Sequence, residues 1–155
     1  MNFDSRIMII EALRKMENPV CLNAANNIKN VKPSGPINIE LRNADLTIEQ
    51  LKVLCEAFVS LPNAPPVHIN TLSFSYNKIG DDGARLLSAS MPLHLNQLGL
   101  VGCDITDLGA IELLGWLKKT THLTLFCVEN NKFSSEIKKQ FKEVANQGKG
   151  FYLEV

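Results

Sequence analysis

Apolar residues recur along this chain on a single eleven-position template. Residues 69–79 read INTLSFSYNKI, residues 95–105 read LNQLGLVGCDI and residues 123–133 read LTLFCVENNKF, and all three fit LxxLxLxxNxL. The template positions are Ile69, Leu72, Phe74, Asn77 and Ile79, then Leu95, Leu98, Leu100, Cys103 and Ile105, then Leu123, Phe126, Val128, Asn131 and Phe133. A degenerate fourth copy, PINIELRNADL at 36–46, keeps Ile39, Leu41 and Leu46 but has Pro36 and Ala44 where Leu and Asn are expected. The Asn-type positions 44, 77, 103 and 131 are separated by steps of 33, 26 and 28 residues, room for a strand and a whole helix in each unit.

The first half of each unit alternates with the period of a strand, and the second half changes to helical spacing. In TIEQLKVLCEAFVSL, Thr47 and Gln50 form a capping box, and Leu51, Leu54, Cys55 and Phe58 share one face. In GDDGARLLSASM, Asp81 and Asp82 sit at the start, where the helix dipole favours negative charge, and Leu86, Leu87 and Met91 point inward. In TDLGAIELLGWLKK the expected stripe is Leu108, Ile111, Leu113 or Leu114, and Leu117, with Trp116 packed between helices. In SSEIKKQFKEVANQG it is Ile137, Phe141, Val144 and Ala145, with Gly148 ending the helix. Three prolines in LPNAPPV predict an exposed loop over residues 61–67.

Stacked units need caps, because an open terminal unit exposes its core edge to water. SRIMIIEALRKM, with Ile9, Leu13 and Met16 on one face, is the expected N-terminal capping helix. FYLEV alternates strictly, so Phe151, Leu153 and Val155 predict a closing strand. The chain is therefore expected to be a single α/β domain over 1–155: an N-terminal cap at 1–35, repeats at 36–147 and a capping strand at 148–155.

The stretches LSFSYNKIGDDGARLL at 72–87 and LGLVGCDITDLGAIELL at 98–114 resemble the ribonuclease-inhibitor subclass of leucine-rich-repeat proteins. The resemblance covers about residues 36–155 and implies a horseshoe segment, with parallel strands on the concave side and helices on the convex side. It also implies a recognition module of the kind found in inhibitors, immune sensors and effectors that intracellular bacteria deliver into host cells. Ala44 and the uneven repeat lengths depart from the consensus of that subclass.

Apart from any resemblance, alternation assigns a surface. Side chains between template positions face away from the core: Asn38, Glu40 and Arg42; Thr71, Ser73 and Ser75; Gln97, Gly99 and Val101; Leu125, Cys127 and Glu129; Tyr152 and Glu154. Tyr76 sits on the rim. The expected partner-binding set is Glu40, Arg42, Ser73, Tyr76, Gln97, Leu125, Cys127, Glu129, Tyr152 and Glu154, with Tyr76, Leu125 and Tyr152 as anchors because large apolar and aromatic groups dominate interface energetics. Asn77, Cys103 and Asn131 are read as a ladder that satisfies turn backbone groups.

Charge and candidate chemistry narrow the function classes. Sixteen basic and sixteen acidic residues cancel, so there is no field to capture nucleic acid or an anionic membrane. The apolar run at the N-terminus, Ile7 to Ile10, is too short for a signal core or a span, and cytoplasmic location is expected, with delivery into a host cell by a non-classical route as the alternative. Cys21, Cys55, Cys103 and Cys127 lack metal-ligand spacing and read as reduced thiols. His68, His94 and His122 recur just before successive strands, a pattern a metal or pH-sensing column would share, but polar residues at a loop-to-strand junction are the favoured reading, since strands about 5 Å apart hold the rings out of direct contact. No nucleophile elbow, phosphate loop or HExxH is present, so neither an enzyme nor a cofactor is expected, and a Cys127-dependent reaction is the rival reading. The expected partner is a protein, bound by a monomer.

Overall fold

A computed structural model describes residues 4–62 and 67–155. Of the loop expected over 61–67, residues 63–66 lie outside the described residues. The chain opens with two helices, α1 (Arg6–Lys15) and α2 (Pro19–Lys29). Four strand-helix units follow: β1 (Ile37–Glu40) with α3 (Ile48–Ser60), β2 (Ile69–Ser73) with α4 (Gly80–Ser90), β3 (Gln97–Gly99) with α5 (Asp107–Leu117), and β4 (Leu125–Cys127) with α6 (Ser135–Val144). One π-helical turn, Ala145–Lys149, and strand β5 (Tyr152–Glu154) complete it. The strands form one parallel sheet in the order β1-β2-β3-β4-β5. The architecture is a leucine-rich-repeat solenoid.

Register follows from the template. Ile39, Leu72, Leu98, Phe126 and Leu153 pair in sequence across the sheet, and the first four are at most 1% exposed. Removing that apolar row from water is what drives neighbouring units to stack. At the first unit the pairing shifts between Ile37 and Asn38, so Ile37, not Pro36, stands opposite Ile69 and is fully buried. The template copy at 36–46 is therefore offset by one residue at its start.

Local signals set the helix starts. Asn18 caps α2 by accepting from the N–H of Val20 at 2.9 Å, and Pro19 occupies the first helical position, where its missing donor costs nothing. Thr47 and Gln50 make both bonds of the capping box of α3, at 3.1 and 3.0 Å. Thr106 and Ser134 cap α5 and α6. At the far end the last helix does not stop at Gly148. It continues through the π turn, and Gly150, with φ +68°, adopts the left-handed conformation that terminates it.

The convex helices pack in order, α3 on α4, α4 on α5 and α5 on α6. The stripe expected for α5 is corrected: Leu108 is 68% and Ile111 58% exposed, while Gly109, Ala110, Leu113, Leu114, Trp116 and Leu117 are buried. Small residues turn α5 this way. A Cβ at Gly109 would lie 2.6 Å from Asp81 Oδ1 and 2.7 Å from Ile105 Cγ2, so only glycine lets α5 approach α4 here. Trp116 lies in the interior, 3% exposed, and donates from Nε1 to the Met91 carbonyl at 3.3 Å. Among the described residues no strand precedes β1. α1 packs against α2 and α3, whereas α2 lies beside β1.

Candidate functional site

Alternation along β1–β5 places two rows of side chains on the concave face. One row is Asn38, Thr71, Gln97, Leu125 and Tyr152; the other is Glu40, Ser73, Gly99, Cys127 and Glu154. At about 4.8 Å per parallel strand each row runs about 19 Å. Glu40 and Arg42 are exposed, Tyr152 is 63% exposed and Tyr76 43%, while Ser73, Gln97, Leu125, Cys127, Glu129 and Glu154 are half-buried. Ser75 departs from its expected surface position. It is 4% exposed, and its Oγ accepts from the N–H of Val101 at 3.1 Å, which makes it a brace between units.

The middle of the face is low and polar, with Thr71 donating to Gln97 Oε1 at 3.2 Å and Ser73 and Ser75 hydroxyls 3.5 Å apart. At the rim of the early units, the Arg42 guanidinium lies 4.6 Å above the centre of the Tyr76 ring. Tyr76 itself sits at φ +61° and covers Gly102, where an added Cβ would come within 3.0 Å of the ring. Tyr76 thus bridges three units, a role beyond that of an anchor.

The other end of the face is acidic. One carboxylate oxygen of Glu129, Oε2, is shut off from solvent with no hydrogen-bond partner among the described residues, and Glu154 accepts from the Tyr152 phenol. That hydrogen bond, followed by the charge of Glu154, raises the pKa of Tyr152. Burial raises the Cys127 thiol, and Glu129 and Glu154 push it further in the same direction. A thiol meant for nucleophilic work needs the opposite field.

Beneath the face lies the asparagine ladder. Asn77 Oδ1 accepts from the N–H groups of Ala44 and Leu46, both at 3.1 Å, and Nδ2 donates to the Leu41 and Phe74 carbonyls at 2.7 and 2.8 Å. Asn131 repeats this one unit-pair later, accepting from Cys103 and Ile105 at 3.0 Å and donating to Leu100 and Val128 at 2.8 and 2.7 Å. Cys103 has only its thiol to offer, 3.3 Å from the Phe74 carbonyl, and burial pushes that thiol up to about 11.

Two parts of this scaffold are invisible to the template. Asn18 reaches from the start of α2 to the Ala44 carbonyl at 2.7 Å, so the cap satisfies a backbone acceptor of the first turn. Asp81 holds the next unit: Oδ1 accepts from the N–H groups of Thr106 and Gly109 at 2.8 and 2.9 Å, and Oδ2 from the Thr106 hydroxyl at 2.6 Å. Burial alone pushes its carboxyl up, but those hydrogen bonds outweigh it and leave the pKa lowered. Asp107 accepts similarly from the N–H of Ser134 at 2.8 Å. The hint in the sequence was an acidic residue four places after the ladder position in two successive units.

Two of the histidines, His68 and His94, bind neighbouring units, and the ring of His122 meets its own chain neighbour. His68 Nε2 lies 3.1 Å from Asn96 Oδ1, His94 Nε2 lies 3.0 Å from the Val67 carbonyl, and His122 Nδ1 meets the Thr121 hydroxyl at 2.7 Å. Among the described residues no group of three His, Cys, Asp or Glu side chains is arranged to hold a metal ion, all four cysteines are free, and no helix is long and apolar enough to cross a membrane.

This geometry is that of a leucine-rich-repeat solenoid. The family described as Leucine Rich repeat matches residues 67–88 and 93–114, the second and third strand-helix units. A solved structure of similar fold is titled "Leiomodin-1 Actin-Binding Site 2 (ABS2)"; it superposes with a TM-score of 0.65 over 93% of this chain and 76% of that chain, at 15% sequence identity. No curated protein matches this chain in sequence.

Proposed function

We propose that this chain is a non-catalytic protein-binding module that uses its concave strand face. The observation that carries the reading is the pair of aligned rows, low and polar in the middle, with the Arg42–Tyr76 stack at one end and Glu129, Glu154 and Tyr152 at the other. Such a surface suits a partner with basic groups opposite Glu129 and Glu154. Repeat steps of 26 and 28 residues with a full helix in each unit support the ribonuclease-inhibitor-like subclass. Four free thiols support a reducing, cytoplasmic compartment, either the cell's own or that of a host cell reached by a non-classical route.

The test is co-precipitation by the immobilised chain, with purified actin among the probes because the structural neighbour is named for an actin-binding site. Charge reversal by Glu129→Lys with Glu154→Lys, or truncation by Tyr152→Ala, weakens capture while leaving the melting temperature within about 2 °C of wild type. Capture unchanged by these substitutions overturns the concave-face reading. The rival cysteine-dependent reaction is disfavoured by the raised pKa of Cys127, and iodoacetamide labelling slower than that of free cysteine counts against it.

A further inference from the structure

Beside β1 the sheet is flanked by a helix in place of a further strand, and the two do not close completely. A groove of about 240 Å³ runs between them, lined by Asn23, Asn27 and Val31 on one side and by Asn38 and Glu40 on the other. Arg6 fixes its end by donating to the Val31 and Lys32 carbonyls at 3.1 and 2.9 Å. We propose that this groove binds a peptide segment in extended conformation with a basic side chain directed at Glu40. The proposal rests on the concave-face reading in that Asn38 and Glu40 belong to that face, and it adds the chemistry of the ligand.

Three features support it. First, Asn23 and Asn27 are one helical turn apart and exposed on the same side of α2, about 6 Å along its axis. Alternate residues of an extended chain repeat at about 6.7 Å, so two carboxamides, each both donor and acceptor, match the N–H and C=O of alternate peptide groups. Second, Ile37 and Leu41 turn their N–H groups toward β2, donating to the His68 and Ser73 carbonyls at 2.9 and 2.8 Å. Parallel alternation directs the main-chain groups of Asn38 and Glu40 the other way, toward the groove, where no described residue bonds them. A strand edge with unpaired donors and acceptors is a template for an added extended chain. Third, Glu40 is exposed and has no ion-pair partner among the described residues, which favours a Lys or Arg and repels acidic segments and phosphates.

The probe is a blocked seven-residue alanine peptide with one central arginine, titrated into the full-length 15N-labelled chain while the side-chain amide signals of Asn23 and Asn27 are followed. Those signals shift saturably. The same peptide methylated on alternate backbone nitrogens gives no saturable shift, and one with central glutamate binds at least about tenfold more weakly. The Asn23→Ala, Asn27→Ala double variant loses the affinity, and Glu40→Gln erases the preference for arginine over glutamate. Both substitutions are at exposed positions, and the remaining spectrum reports that the fold is kept. Absence of saturable shifts up to about 10 mM peptide, or equal binding of the methylated peptide, overturns the proposal. If capture of a protein partner is lost on Glu129→Lys while these titrations are flat, the groove falls and the concave-face reading stands.

Discussion

Replacing Asn77 by alanine removes its four hydrogen bonds of 3.1 Å or shorter, at a site that is 1% exposed. The N–H groups of Ala44 and Leu46 and the carbonyls of Leu41 and Phe74 then lose their partner in a place water does not reach. At a net cost of about 1 kcal/mol for each backbone group left unpaired, the loss sums to about 4 kcal/mol, a large fraction of the stability of a domain this size. Urea unfolding followed by far-UV circular dichroism, with Trp116 fluorescence as a second probe, measures it. Asn77→Asp adds a pH signature. It keeps the acceptor but points a carboxylate at two carbonyls, so its folded pKa rises above the unfolded value of about 3.9. Such a group binds more protons folded than unfolded, so the variant loses stability as pH rises through the folded pKa and regains it on acidification. Asn131→Ala, at a half-buried site, costs less than Asn77→Ala because the side chain itself borders solvent and water enters the space it vacates, although its backbone partners are buried. A loss below about 1 kcal/mol for Asn77→Ala would refute the reasoning, since the turn would then satisfy its own backbone.

Other expectations follow from the scaffold and the face. Asp81→Ala removes three hydrogen bonds to the start of α5 and lowers stability by about 2 kcal/mol at neutral pH. Because the folded pKa of Asp81 is lowered, its contribution is present above the unfolded value of about 3.9 and disappears as pH falls through the folded pKa, so the variant shows a shallower acid limb in a stability-pH profile. Tyr76→Ala loses the Arg42 contact, about 0.5–1 kcal/mol, and keeps a strained φ of +61°; Tyr76→Gly relieves that strain and is the milder change in thermal melts. Glu154→Gln removes a negative charge beside Cys127, lowers the thiol pKa and speeds iodoacetamide alkylation at pH 8 in a mass-spectrometric time course.

Much of this fold is legible in the sequence because a repeat states each instruction several times. Leu72, Leu98 and Phe126 occupy one template position, and the sheet pairs them side by side. The Thr47–Gln50 capping box is equally local and equally visible. Legibility fails where one side chain's setting depends on another unit. Helix α5 is apolar nearly all round, so periodicity could not choose between a face carrying Leu108 and Ile111 and one carrying Ala110 and Leu114; the approach of Asp81 and Ala84 to Gly109 decides it. Ser75 obeys strand alternation as a position but is covered by the neighbouring turn. The groove beside β1 has no signal in the template, because α2 stands where the pattern of the other units would place a strand, and Asn23, Asn27 and Asn38 do not announce a shared wall.

The direction in which the carboxamides reach has a consequence for synthesis. Asn77 closes the turn at residues 44–46, and Asn131 closes the one at 103–105, so each carboxamide lies later in the chain than the turn it closes. A nascent chain emerging from the ribosome cannot complete the first turn until some thirty further residues have cleared the exit tunnel. Closure of those two turns therefore lags translation by about one unit, and a chain cut just before either asparagine loses the closure of the preceding turn as well as the residues removed.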